Sequence, residues 1–127
     1  MLPGWLNEKE MNHLLRFCQA GACPTPQTID LVPNKAPLYF SAGLPVLNAF
    51  QGEMRQWTDE LGLGYSYAPG NADQLAGAIS AMTEDPAAYH RMTEAVRRCY
   101  SERFQSDLVY AEYVRYLEAL PSQTQRN

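Results

Sequence analysis

The sequence predicts an α/β fold: short parallel strands separated by helices, Rossmann-like, with a helix-rich C-terminal part. Three observations predict it. Short apolar runs alternate with segments whose apolar residues recur at helical spacing. The run Val32-Pro33-Asn34-Lys35-Ala36-Pro37-Leu38-Tyr39-Phe40-Ser41-Ala42-Gly43-Leu44-Pro45-Val46-Leu47 reads as a helix opened at a proline, stopped by Gly43 and passed straight into a buried strand. After residue 70 the apolar stripes are helical throughout, with strand-like alternation gone.

The elements follow in order. Asn7 with Glu10 forms a capping pair, and Met11, Leu14, Leu15 and Cys18 keep helical spacing, which predicts a helix over 7–20 that Gly21 ends. Cys23-Pro24 closes a short strand. The polar stretch 25–32, which holds Asp30, reads as a loop on the ligand side. A helix of little more than two turns is expected over 34–42, since Pro37 falls in a first turn with no intrahelical donor to lose. A strand over 44–48 leads through Gly52-Glu53 into a helix over 52–61, with Met54, Trp57, Thr58 and Leu61 on one face and Gly62 at its end. A strand over 63–68, a Pro69-Gly70 turn and an Asn71/Gln74 cap come next. Leu75, Ala78, Ile79 and Met82 stripe the helix that follows. Asp85-Pro86 starts a long helix with Tyr89, Met92, Val96 and Cys99 inward, and Ser106 caps a last one carrying Val109, Tyr113, Tyr116, Leu117 and Leu120 on one side. Residues 121–127 form a polar tail.

Composition excludes several classes of function. At 46% hydrophobic and 19% charged the chain buries a core rather than staying disordered. No apolar run approaches the roughly 20 residues of a membrane-spanning helix, and Met1-Leu2-Pro3-Gly4 lacks the regions of a signal peptide, so a cytoplasmic location is expected. The formal charge of -4 argues against nucleic acid, whose phosphate backbone calls for a basic face. Cys18, Cys23 and Cys99 are odd in number and lack close metal-type spacing, which predicts free thiols rather than a disulfide framework. His13 and His90 lie in helical segments without an acid and nucleophile nearby and read as surface or boundary residues.

In an open parallel sheet the carboxyl ends of the strands face the ligand crevice. That rule brings three segments together: the loop before Lys35, the helix start at Asn34, and the loop from Ala49 to Glu53. A diphosphate requires cations and free backbone donors, which a helix N-terminus, a glycine loop and Lys35 supply. Taken alone, Lys35 reads first as a solvated first-turn lysine, and Glu53 as an acid complementing the positive end of its helix, a role worth about 0.3–1 kcal/mol.

The order Pro33-Asn34-Lys35, Tyr39-x-x-Ala42-Gly43-x-Pro45-Val46 and Gly52-Glu53 resembles the donor-nucleotide half of the GT-B glycosyltransferases, in the retaining group 1 (family 4) branch. Gly4-Trp5-Leu6 looks like a strand end of that family, Gly62 to Tyr65 and Ala68 to Leu75 like its next strand and helix start, and Glu84-Asp85-Pro86 and Arg103-Phe104 like its late helical punctuation. The likeness runs from Gly4 to Leu120. It implies a partial donor-binding Rossmann-like domain over 1–120, which begins partway through the second of two domains, and sugar transfer from a nucleoside-diphosphate sugar to an acceptor hydroxyl with retention, in polysaccharide or glycolipid assembly. The implied donor-binding residues are Asp30, Asn34, Lys35, Leu38, Gly52 and Glu53; the catalytic residues are not identified.

In that likeness Lys35 stands near phosphate, Gly52 admits close backbone approach, and Glu53 orients the sugar or its loop. No metal or other cofactor is implied, since such enzymes neutralise the leaving diphosphate with basic residues and helix dipoles. The implied partners are the nucleotide sugar and an N-terminal domain or partner chain, together with peripheral membrane association of the full enzyme and self-association of this chain. One position departs from the pattern. Where many members place a glutamate that holds the ribose hydroxyls, this chain has Leu38, and Asp30 occupies the place of that glutamate's earlier partner. Leucine accepts no hydrogen bond, so either backbone groups hold the ribose or nucleotide binding is weakened or lost. Two other functions fit the residues: a non-catalytic nucleotide-binding or interaction module that complements another chain, and a nucleotide-sugar epimerase of the same architecture.

Overall fold

A computed structural model describes residues 4–119. Leu120, the tail 121–127 and the opening Met1-Leu2-Pro3 lie outside the described residues. The chain is α/β, with three short parallel strands in the order β1-β2-β3: β1 (Gly21–Cys23), β2 (Val46–Asn48) and β3 (Gly64–Ser66). Register pairs Gly21 with Val46 and Val46 with Gly64, so the strands start level. Six helices complete the chain: α1 (Glu8–Leu15), α2 (Ala36–Ser41), α3 (Glu53–Glu60), α4 (Ala72–Glu84), α5 (Pro86–Arg103) and α6 (Ser106–Ala119). None among the described residues is long and apolar enough to cross a membrane.

Both sheet faces are covered, which suits the fully buried β2. On one face Cys23, Val46, Phe40, Met54, Leu63 and Val96 form a core, with Trp57 and Phe104 at its margin in an edge-to-face pair 5.5 Å apart. On the other, Leu47 and Ala49 pack with Tyr67, Ala78, Met82 and Met92. Helix α5 passes beneath the amino ends of the strands. The Tyr89 hydroxyl donates to the Gln19 carbonyl just before β1 at 2.9 Å, and Arg97 lies against Gly43, three residues before β2. The carboxyl ends are left to the loops.

Local signals explain most boundaries. The Asn7/Glu10 capping box forms in both directions, at 2.8 and 3.0 Å. Asp85 accepts from the N–H groups of Ala87 and Ala88, with Pro86 in the first turn of α5. Gly43, at φ 71, ends α2: its N–H donates to the Phe40 carbonyl and that of Leu44 to Tyr39, the paired bonds of a Schellman stop.

Several expectations are corrected. Gly4-Trp5-Leu6 is not a strand, and Trp5 is fully exposed. Helix α1 stops at Leu15 rather than continuing to residue 20; Leu15 is its buried residue, while Leu14 and Phe17 face solvent. Gly21 opens β1 instead of ending a helix, and the Tyr39 ring lies so close that a side chain there would collide with it. Helix α2 begins at Ala36, because the Ala36 N–H closes a turn on the Pro33 carbonyl at 2.9 Å and Pro37 has no N–H to offer it. The position before the last helix is Gln105, whose carbonyl accepts from Leu108 and Val109, so Ser106 is helical rather than a cap. On the predicted stripes, Leu61 and Ile79 are exposed. Helix α6 buries none of its residues, and Val109, Tyr113, Tyr116 and Leu117 all stand in solvent.

Candidate functional site

Three loops leave the carboxyl ends of the strands. The first two are joined: Asp30 and Gln51 form an isolated parallel bridge, in which the Gln51 N–H donates to the Ile29 carbonyl at 2.8 Å. The polar segment after β1 is thereby held against the segment that leads into α3. Next in the chain comes Gly52, with φ 63 and ψ -138, a backbone setting that side chains rarely adopt. A Cβ at that position would lie 3.2 Å from the Cβ of Asp30. Gly52 thus permits the close approach of Asp30, and Glu53 follows as the exposed first residue of α3. Asp30, Gly52 and Glu53 form one group.

Asn34 and Lys35 are exposed and belong to the turn before α2, not to the helix itself. Lys35 is the helix-flanking residue, and its side chain makes no capping bond. Its charge is felt at the end of β1. Burial pushes the Cys23 thiol up to about 11, and the Lys35 ammonium acts against that rise. Leu38 is half-buried within α2, and its carbonyl accepts from the Ser41 hydroxyl at 2.7 Å. It offers the site an apolar side chain and no acceptor.

Two features escape a reading of the sequence. The side chain of Asn48, at the end of β2, is buried and holds Phe50 at both backbone groups: Nδ2 donates to the Phe50 carbonyl at 2.9 Å and Oδ1 accepts its N–H at 3.0 Å. This amide sets the path from β2 to Gln51 and Gly52. An asparagine at a strand end before a glycine loop is the signal that marks it. The second is a cavity of about 420 Å³ between the loop after β1 and the start of α4, lined by Pro24, Pro26, Tyr67 and Leu75 among others. None of the six residues predicted for the site lines it.

Comparison with protein-family models, with curated proteins and with solved structures found no match.

Chemically, the joined loops offer two carboxylates beside exposed backbone, with one ammonium on the neighbouring turn. Carboxylates accept hydrogen bonds from hydroxyl groups, and an ammonium attracts phosphate as a point charge. Both histidines stand apart from these loops: His13 is edge-on to Phe17 at 5.3 Å, and His90 lies 3.7 Å from Glu94 on the solvent face of α5.

Proposed function

We propose that the chain is the donor-binding part of a nucleotide-sugar-dependent glycosyltransferase of GT-B architecture. The observation that carries this reading is the Asp30–Gln51 bridge with Gly52 behind it. It joins the two sequence segments in which the resemblance places the donor, at the carboxyl edge of a parallel sheet, where such folds bind ligands. In this reading Lys35 attracts the diphosphate, the backbone at Gly52 admits it, and Asp30 and Glu53 accept hydrogen bonds from sugar hydroxyls. Leu38 accepts none, so the ribose is held by backbone groups.

The described residues hold one sheet of three strands, and sugar transfer needs donor and acceptor fixed in one cleft. In this reading the described sheet binds the donor, and transfer requires an acceptor held in the same cleft. Calorimetric titration with a panel of nucleotide sugars tests the reading. Saturable binding supports it, and a folded chain that binds none of them refutes it.

A second reading, an interaction module without donor chemistry, is favoured by α6. Its Tyr110, Tyr113, Val114, Tyr116 and Leu117 are all exposed, and exposed apolar surface of that kind marks interaction sites.

A further inference from the structure

Two apolar stripes face solvent, one on α6 and one on α1. A cleft under α6 is lined by Trp57, Phe104, Leu108 and Glu112, so residues 108 and 112 mark the inner side of that helix. Tyr110, Tyr113, Val114 and Leu117 recur at helical spacing on another side, and all four are exposed. With about 3.6 residues to the turn, Asp107 and Glu118 fall along one edge of this stripe. Neither makes an ion pair among the described residues. Counting Glu112 and the single base Arg115, α6 is net acidic.

Along α1 runs a groove of about 510 Å³, lined by Leu6, Lys9, Glu10, His13, Leu14 and Phe17. Its whole lining comes from this one segment, and Leu14 and Phe17 are exposed in it. Glu10 is committed to the Asn7 N–H at 2.8 Å. Lys9 and Arg16 lie two turns apart on one edge of the groove, exposed and with no ion pair among the described residues.

The edges match in hand and in charge. On the helical wheel the edge with Lys9 and Arg16 is the opposite one, relative to its stripe, from the edge with Asp107 and Glu118. Two helices packed face to face and parallel bring opposite edges together, which sets Lys9 towards Asp107 and Arg16 towards Glu118. The two bases stand seven residues apart, about 10 Å of helix, and the two acids eleven, about 16 Å. Long lysine and arginine side chains span the difference of about 3 Å at each end. Within one chain α1 and α6 do not pack against each other, so the matching helix is supplied by another copy. Pairing α6 with a second α6, antiparallel, would instead crowd the acids of both along one edge.

We infer that two copies of this chain associate by seating the α6 stripe of each, parallel, in the α1 groove of the other, with Lys9 and Arg16 of one copy against Asp107 and Glu118 of its partner. Exchange about a two-fold axis fills both grooves and closes the assembly at a dimer. The inference is independent of the donor reading, since none of these residues belongs to that site.

Sedimentation equilibrium on the full chain across the micromolar range measures the association. The parent is expected to be a dimer. Lys9→Glu with Arg16→Glu, and separately Asp107→Lys with Glu118→Lys, change only exposed residues. Each pair of substitutions raises the dimer dissociation constant at least about tenfold, because like charges then meet at both grooves. Mixed in equal amounts, the two variants dimerise again, since every groove now meets a stripe of opposite charge. Circular dichroism checks that each is folded. Should one of them fail to fold, Phe17→Ser and Tyr113→Ser decide the matter, as each must weaken the dimer. A monomeric parent, a dimer that either folded charge variant leaves intact, or two weakened variants whose mixture stays monomeric overturns the inference.

Discussion

Replacing Gly52 with alanine tests whether the loops after β1 and β2 are joined as described. The backbone there has φ 63 and ψ -138, close to a region that only glycine occupies readily, and holding another residue in it costs about 1–3 kcal/mol. The new Cβ also meets the Asp30 Cβ at 3.2 Å and its Cα at 3.4 Å, so the Asp30 segment must give way by a few tenths of an ångström. Asp30 is exposed and yields at modest cost, which places Gly52→Ala at about 1–3 kcal/mol of destabilisation overall. Gly77→Ala is the control. It lies inside α4 with open space where its Cβ would go, and is expected to stabilise by about 0.5–1 kcal/mol. Urea unfolding followed by circular dichroism measures both, as midpoint shifts at constant slope. A Gly52→Ala midpoint equal to that of the parent, with Gly77→Ala shifted upwards as expected, would refute the joined-loop geometry.

Three further outcomes follow from the structure. Because the folded Cys23 thiol is raised to about 11 from an ordinary 9.0, the stability it supports is intact below about pH 9 and declines as pH rises towards 11; urea midpoints across that window should fall, and by less in Cys23→Ala. Modification of thiols under native conditions should reach half-buried Cys18 well before Cys23 and Cys99, and equal rates for all three would contradict the burial described. The exposed face of α6, with Trp5 and Phe17, should drive self-association, so light scattering that reports a clean monomer at high micromolar concentration would mean these surfaces are covered in solution.

Elements fixed by local chemistry were legible in the sequence. The Asn7/Glu10 and Asn71/Gln74 pairs, Asp85-Pro86 and the Gly43 stop each carry their partners within a few residues, and the structure places all of them as read. So do the inward residues Met92, Val96 and Cys99 of α5. What failed depended on tertiary surroundings. Helical spacing at Leu14 and Cys18 suggested a longer α1, but Leu14 and Phe17 have no surface to cover them and the helix ends at Leu15. Gly21 looked like a helix stop because glycine so often is one; its actual role is to leave room for the Tyr39 ring, from another part of the chain. The Asp30–Gln51 bridge joins two segments that are 21 residues apart, a pairing that no local signal in either segment carries. The role of Asn48 was not legible either, since a buried amide acquires its partners only once the strands are assembled.

Calorimetric titration of a nucleoside diphosphate into the parent chain and Lys35→Ala tests the donor-site proposal most directly. The proposal predicts saturable binding by the parent, weakened in the variant by roughly 1.5–3 kcal/mol, the value of a charge-assisted hydrogen bond to phosphate. Equal affinity in both, with the variant's circular dichroism spectrum unchanged, would return Lys35 to a solvated surface residue and contradict the proposal.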